Sequence, residues 1–398
     1  MSHSSRTADG PADAASDIAG ALERASFVHV VARADGDAVA AAGLVARALG
    51  DVGTPFQVSV GRTVDARTER VVRNERDPET TALVVGSSES EAYHLDPDDE
   101  PASVAAWRLA GELGGAPDSV LALAGAVAAG VTPGAGATER LVDAAETSGR
   151  LVRRPGLAIP TEDVADGLAA STLVHAPFSG ERAVADELVA DLDLDTPDET
   201  QGDAETQLDD DARRTLASLV AVETVGADDA TTRAGDVLER ALRPYTTPDG
   251  RFATVGGLAD VLDCAAVGAP GTGVALALGH DVREGALDAW RETAHEAHEA
   301  VREATTHRYD GVFVARVDEA PVQVAARLVR DFRSPEPVAL VVGDDEAAAA
   351  AVDDRDLAGV AARTVTQTGG SADGTPRTAY ATFECETKQF ITAFREAL

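Results

Sequence analysis

Two carboxylates separated by a single glycine, Asp35-Gly36-Asp37, are the residues of this chain best placed to do chemistry. Carboxylate oxygens held close together suit a hard divalent cation such as Mn²⁺ or Mg²⁺, and a pair of such ions can generate hydroxide and stabilise a phosphoryl displacement. The same three residues also suit a plain Asx-Gly turn, in which one Asp caps a helix that begins near Ala38. His295 and His298 form a second candidate pair, at i, i+3 spacing on one helix face; exposed or packed positions on a long amphipathic helix account for them better than a ligand role. Gly268, Gly271 and Gly273 lack the lysine and the strand of a phosphate loop and read as an ordinary loop. Arg67, Arg70, Arg73 and Arg76 recur every three residues through DARTERVVRNERD. They make a basic stripe that would suit a partner or a nucleic acid, although Asp65, Glu69 and Glu75 are spaced to pair with them.

The elements that must position these residues follow from hydrophobic periodicity. Phe27 to Ala32 is an apolar run read as a buried strand, and the Ala-rich segment after the acidic turn has the spacing of a helix as far as Leu49. Asp35 and Asp37 therefore stand at the carboxyl end of a strand, where open α/β sheets place their ligand sites. Thr81 to Ser88 reads as a second parallel strand. Pro101 to Gly130 reads as two helices, the second so apolar that it must be buried. The segment between, Ser87 to Glu100, is too short for a further strand with its turn. A long connecting helix is expected over 283–305. Strand, helix and strand patterns follow at Asp310–Val317, Pro321–Phe332 and Pro335–Asp345, and TKQFITAFREAL closes the chain as an amphipathic helix. The fold class expected is α/β in two domains: an N-terminal parallel sheet with flanking helices, the connecting helix, and a smaller C-terminal α/β domain. The boundaries expected are a flexible tail over 1–15, a first domain over 16–282, the connector over 283–305 and a second domain over 306–398. Residues 191–211, DLDLDTPDETQGDAETQLDDD, are a low-complexity acidic stretch expected to be a solvated loop.

Composition narrows the class. A chain of 398 residues with 44% hydrophobic content can build cores for two domains. Cys264 and Cys385 make no disulfide framework and no zinc spacing, which fits a reducing cytoplasm. The first residues have no apolar stretch for a signal peptide, and no later run is long enough for a membrane span. A soluble cytoplasmic protein is expected. Asp plus Glu number 69 against 34 Lys plus Arg, Lys388 is the only lysine, and the net charge is −35. That balance matches the surface style of extreme halophiles. In molar salt the Debye length is only about 3 Å, so the charge reflects adaptation to solvent more than choice of partner.

Five stretches taken together bring a family into view. FVHVVARADGDAVAAAGLVARAL, TALVVGSS and the helix pair ending in Gly125-Ala126-Val127 resemble the first half of DHH phosphoesterases, RecJ-like members in particular. ASTLVHAPFSGERAVADELVADL and VLDCAAVGAPGTGVALALGHD are similar to later segments of archaeal RecJ homologues, the second lying before their long connecting helix. Gly374-Thr375-Pro376-Arg377-Thr378-Ala379-Tyr380 resembles the Gly-His-x-x-Ala-Ala-Gly element of the associated DHHA1 domain. The resemblance implies a DHH-like first domain, a DHHA1-like second domain, and nucleic-acid contacts at Gly369, Gly370, Gly374 and Arg377.

The departures are as informative. The His that opens the family's first motif would fall among Val31, Ala32, Arg33 and Ala34. The Asp closing its second strand falls on Gly86, the Asp-His-His motif has no counterpart between Ser87 and Glu100, and the Asp after the buried helix falls near Ala129. Asp35 and Asp37 alone remain as metal candidates, unless His94, Asp96, Asp98 or Asp99 is recruited. In the DHHA1-like element, Thr375 replaces the His and Tyr380 the final Gly. The resemblance then implies a RecJ-like protein of replication or repair without a nuclease centre and with no cofactor. As a scaffold it would resemble the helicase-activating subunit that joins GINS and MCM, with single-stranded DNA as a further ligand and no membrane contact. The alternative is an active Mn- or Mg-dependent exonuclease or small phosphoesterase with substituted ligands.

Overall fold

The computed structural model describes residues 11–74, 80–96, 100–190 and 208–398, which form two compact units. The first unit runs to Ala145 and takes back Pro270–Val282; the second comprises Glu146–Ala269 and Arg283–Leu398. Arg76, Asp98, Asp99 and residues 191–207 of the acidic stretch lie outside the described residues.

In chain order the first unit begins with α1 (Pro11–Arg24), β1 (Phe27–Arg33), α2 (Gly36–Asp51), β2 (Phe56–Gly61) and α3 (Val64–Asn74). It continues with β3 (Thr80–Val85), β4 (Tyr93–Leu95), α4 (Ala102–Glu112), α5 (Ser119–Ala128) and α6 (Glu139–Thr147), which crosses the boundary. The strands form one sheet in the order β2-β1-β3-β4, all parallel. Helix α1 begins at Pro11, inside the stretch up to Ala15 that was expected as tail. Two strands were not foreseen. β2 alternates polar and apolar residues and is half-exposed, so it lacks the continuous apolar run of its neighbour β1. β4 lies in the Ser87–Glu100 segment, which was expected to hold no strand; it needs only three residues because it pairs with β3 alone, at the sheet edge.

Alanine and glycine let α2 pack on every side. From Gly36 to Leu49 only Arg47 escapes burial. A Cβ on Gly43 would meet the Ala277 Cβ at 2.6 Å, and one on Gly125 would meet Ser103 at 2.6 Å and Ala40 at 2.9 Å. Such contacts bring the helix axes close together, so small residues here are a packing requirement.

The second unit holds β5 (Val152–Arg153), α7 (Val164–Ala170), α8 (Arg182–Ala190), α9 (Asp210–Gly226), α10 (Arg233–Leu238), β6 (Tyr245–Thr246) and α11 (Val255–Gly268). After α12 (Pro270–Ala277), which belongs to the first unit, come α13 (Arg283–Glu303), β7 (Thr305–Tyr309), β8 (Val312–Arg316) and α14 (Val322–Leu328). The chain ends with β9 (Val338–Val342), β10 (Glu346–Ala351), α15 (Leu357–Thr368), β11 (Ser371–Gly374), β12 (Thr378–Thr382) and α16 (Thr387–Ala397). These last strands build a six-stranded sheet, β11-β12-β10-β9-β8-β7, in which only β8 and β9 run parallel. Its two faces carry separate cores, one around Val324, Leu328 and Phe332 and the other around Leu357, Phe390 and Phe394. The glycines read as a loop are helical: Gly268 ends α11, and Gly271 and Gly273 lie in α12. A Cβ on Gly268 would stand 2.3 Å from Thr293 Oγ1, so the glycine admits α13 beside α11. Among the described residues, no helix is long and apolar enough to cross a membrane.

Candidate functional site

Parallel register sets Arg33 opposite Gly61 on β2 and Ala32 opposite Val85 on β3, so the carboxyl ends of three adjacent strands meet at one place. The Asp35-Gly36-Asp37 turn leaves the middle strand there. Asp35 is the N-cap of α2: its Oδ1 accepts from Ala38 N at 2.8 Å, and its Oδ2 accepts from Arg33 Nε. Asp37, only 5% exposed, reaches a different helix. Its Oδ2 accepts from Ala102 N at 2.7 Å and its Oδ1 from Ser103 N at 3.0 Å, so this carboxylate caps α4 across 65 residues of sequence. Both expected carboxylates are therefore brought together, one capping the helix that follows it and the other a neighbouring helix.

Electrostatics separates the two. Burial pushes the Asp35 carboxyl up, but the charge and hydrogen bond of Arg33, the Ala38 N–H and the Arg67 charge outweigh it and hold the group below the usual carboxylate range. Asp37 has no such cation; burial, with the charge of Asp35 beside it, pushes it up to about 6. Arg33 also lies across Gly86, whose φ is +108°: a Cβ there would be 3.4 Å from the Arg33 Cβ and 3.9 Å from its Nη1. The residue just past the end of β3 is thus covered by a guanidinium stem.

A Mn²⁺ or Mg²⁺ ion needs about six oxygen ligands at roughly 2.0–2.6 Å. Here each oxygen of both carboxylates already accepts a hydrogen bond from the chain itself. An ion on Asp35 would also face Arg33, and like charges about 4 Å apart repel by about 4 kcal/mol per unit charge at the effective dielectric of a protein surface. Among the described residues no group of three or more His, Cys, Asp or Glu could hold a metal. The donor set does not fit a divalent ion. The loop candidates lie elsewhere: His94 Nε2 bonds Ser88 Oγ at 2.8 Å, and Asp96 accepts from Ser87 Oγ at 2.9 Å.

The arginines of α3 do not make one exposed stripe. Arg67 is fully buried and donates to Ser87 O at 2.8 Å and Gly61 O at 3.0 Å, tying together the ends of β2 and β3. Arg70 turns back to Ala66 O at 2.8 Å, and Arg73 is exposed. A guanidinium offers five donors in a fixed fork, which suits Arg67 to satisfying strand-end carbonyls.

The glycines of the C-terminal element have an internal purpose. Gly369 caps α15 with φ +74°, and Gly370, φ +104°, opens β11 against β12. A Cβ on Gly370 would fall 2.0 Å from Thr382 O, and one on Gly374 2.6 Å from Thr378 O. The backbone that approaches these glycines is the protein's own hairpin. Glu384 lies beside Gly369, and Arg377 donates to Asp354 at 2.5 Å. We expect Gly370→Ala to cost roughly 2 kcal/mol or more through backbone strain and the carbonyl clash, whereas Gly369→Ala, with 3.6 Å of room, should cost about 1 kcal/mol. Urea melts of the two variants check this; equal losses would mean that the hairpin contact is unimportant.

His298, offered by its spacing as a ligand beside His295, is packed. It is fully buried on α13, with Nε2 donating to Ser171 O at 3.1 Å and Nδ1 meeting His175 Nδ1 at 2.9 Å. A carbonyl can only accept, so Nε2 carries the proton and Nδ1 of His298 accepts from His175. His295 faces outward to Gly180 O at 3.0 Å. Beside this pair stands a polar core of the second unit that sequence reasoning did not find. Asp260 on α11 accepts from Thr172 N at 3.0 Å and Trp290 Nε1 at 2.9 Å, and Asp263, one turn on, pairs with Arg327 of α14. These residues are scattered over 155 positions, and no local motif joins them.

With this geometry in hand, the comparisons with known proteins fall into place. The chain belongs to the rrnAC1427 family. It is 48% identical over 394 residues to a protein of Haloarcula marismortui described as "Uncharacterized protein rrnAC1427", covering 98% of each, and residues 304–396 match the family model for the C-terminal domain of that protein. At the level of fold, the structure of CDC45 from Entamoeba histolytica is similar over 96% of this chain and 98% of that one, with a TM-score of 0.59 and 7% identity. The structure of exonuclease RecJ bound to manganese aligns over 100% of this chain and 95% of that chain, with a TM-score of 0.47 and 13% identity. At the level of fold the chain is thus like CDC45, with a parallel sheet in the N-terminal part and a separate C-terminal sheet, as expected.

Proposed function

We propose that the protein is a RecJ-like member of the replication or repair machinery that has kept the DHH scaffold for binding and does not cleave nucleic acid. Its partners on this reading are GINS and MCM, with single-stranded DNA as a further ligand. One observation carries the proposal: Asp35 and Asp37, the remaining acidic residues of the first motif, have all four oxygens engaged by the chain's own N–H groups and by Arg33. The likeness to CDC45 over nearly the whole of both chains supports a scaffold of the same shape. With a net charge of −35 and the charges screened in molar salt, a partner interface would rest on apolar burial and short-range pairs.

The test is affinity purification from a haloarchaeal lysate in molar KCl, read by mass spectrometry. GINS subunits should be recovered with both the wild type and Asp35→Ala. Recovery of the protein alone, across several salt concentrations and after crosslinking, would remove the replisome assignment. Mn²⁺-dependent digestion of labelled single-stranded DNA that disappears in an Asp35→Ala, Asp37→Ala double variant would establish the nuclease instead.

A further inference from the structure

The geometry points to Arg33 as a built-in counter-cation, a guanidinium that stands in for a divalent ion at the ends of β1, β2 and β3 and keeps one from binding. Three features place it there. Its Nε bonds Asp35 Oδ2, the oxygen left over once Oδ1 has capped α2. Its stem covers Gly86, the residue just past the end of β3. Its side chain is only 16% exposed, so the charge sits in the site and is poorly screened by solvent. Arg67, fully buried among strand-end carbonyls, adds a second fixed positive charge felt by Asp35.

A guanidinium and a hydrated dication can each neutralise a carboxylate at the mouth of a parallel sheet, and here the guanidinium does so for Asp35. The guanidinium brings no exchangeable water and so no route to hydroxide. One strand-end position thus supplies a charge that competes with a cation for Asp35. The inference is about cation occupancy and does not rest on the identity of any partner.

The experiment is Mn²⁺ titration of the full chain in molar KCl, with free Mn²⁺ followed by electron paramagnetic resonance and the fold checked by near-ultraviolet circular dichroism. Wild type should bind no ion at this site. Arg33→Gln, which keeps a polar stem without the charge, should bind Mn²⁺ at least tenfold more tightly than wild type, and adding Asp35→Asn should abolish the gain. Arg33→Lys keeps a positive charge and should behave as wild type, which also guards against a trivial effect of mutating this position. Binding by wild type that is lost in Asp35→Asn, or Arg33→Gln no tighter than wild type, overturns the inference. An Arg33→Gln protein that binds Mn²⁺ yet still recovers GINS would leave the scaffold reading untouched, so the two can fail separately.

Discussion

Arg327→Met should lower the unfolding free energy by about 3 kcal/mol, among the largest losses available from one side chain in the second unit. Arg327 crosses from α14 to Asp263 on α11, with side-chain exposures of 23% and 11%. Its Nη2 also lies 3.5 Å from Thr172 Oγ1, which in turn bonds Asp260. Removing the guanidinium takes the paired cation away from a mostly buried carboxylate, and losing one member of a buried pair costs more than the pair contributes. The loss should therefore be largely reversed in an Arg327→Met, Asp263→Leu double variant, where neither member of the pair remains. Urea unfolding at fixed KCl measures all three proteins. A double variant as unstable as the sum of the two singles would show that the pair is not an energetic unit.

Acid should destabilise the protein through His175 and His298. Burial, helped by the charges of Arg333 and Arg302, pushes His175 down to about 3, and burial with the neighbouring ring pushes His298 well below its ordinary value. Both rings are neutral in the folded state but take up protons in the unfolded chain near pH 6.5. The contribution of His175 is complete above that pH and is lost as pH falls from 6.5 toward 3, at up to about 1.4 kcal/mol per unit, and that of His298 is lost in the same direction. From pH 6.5 to 5 His175 therefore gives up about 2 kcal/mol, and His298 adds to the loss in the same direction. Asp37 acts in the opposite sense. Its carboxyl is raised to about 6, so the folded state gains on acidification from 6 down to the ordinary carboxylate range and offsets part of the loss. The comparison that isolates the pair is His175→Gln against wild type. The variant should show a shallower fall of the urea midpoint with pH, and parallel curves would place the acid sensitivity elsewhere.

The parts of the fold legible in the sequence were those whose cause is local. β1, the acidic turn and α2 are announced by an apolar run, two Asp residues and a small-residue helix within 25 positions. The strand Glu346–Ala351 gives no such sign, because alanine favours helix more than any other residue; only pairing with β9 and β12 makes it a strand. The site was legible as residue types and not as roles. Asp37 looks identical in sequence whether it binds a cation or caps Ala102 and Ser103, since those partners come from α4. The spacing of Arg67 and Arg70 is the same for an exposed stripe as for a buried fork, and the choice is made by the carbonyls of Gly61 and Ser87. Arg33 sat in plain view, two residues before Asp35, as one of the residues in place of a missing His.

The insertion of α12 against α2 has a consequence for how this protein is made. The Gly43 face of α2 is covered by Ala277, which leaves the ribosome 234 residues later, after the whole Glu146–Ala269 portion of the other unit. Synthesis therefore cannot complete the first unit in one piece. A fragment stopped at Ala145 would display a bare stripe of glycine and alanine, and limited proteolysis between residues 145 and 270 should release two pieces that stay together. The smallest span of chain that can seal the sheet bearing Asp35 runs to Val282.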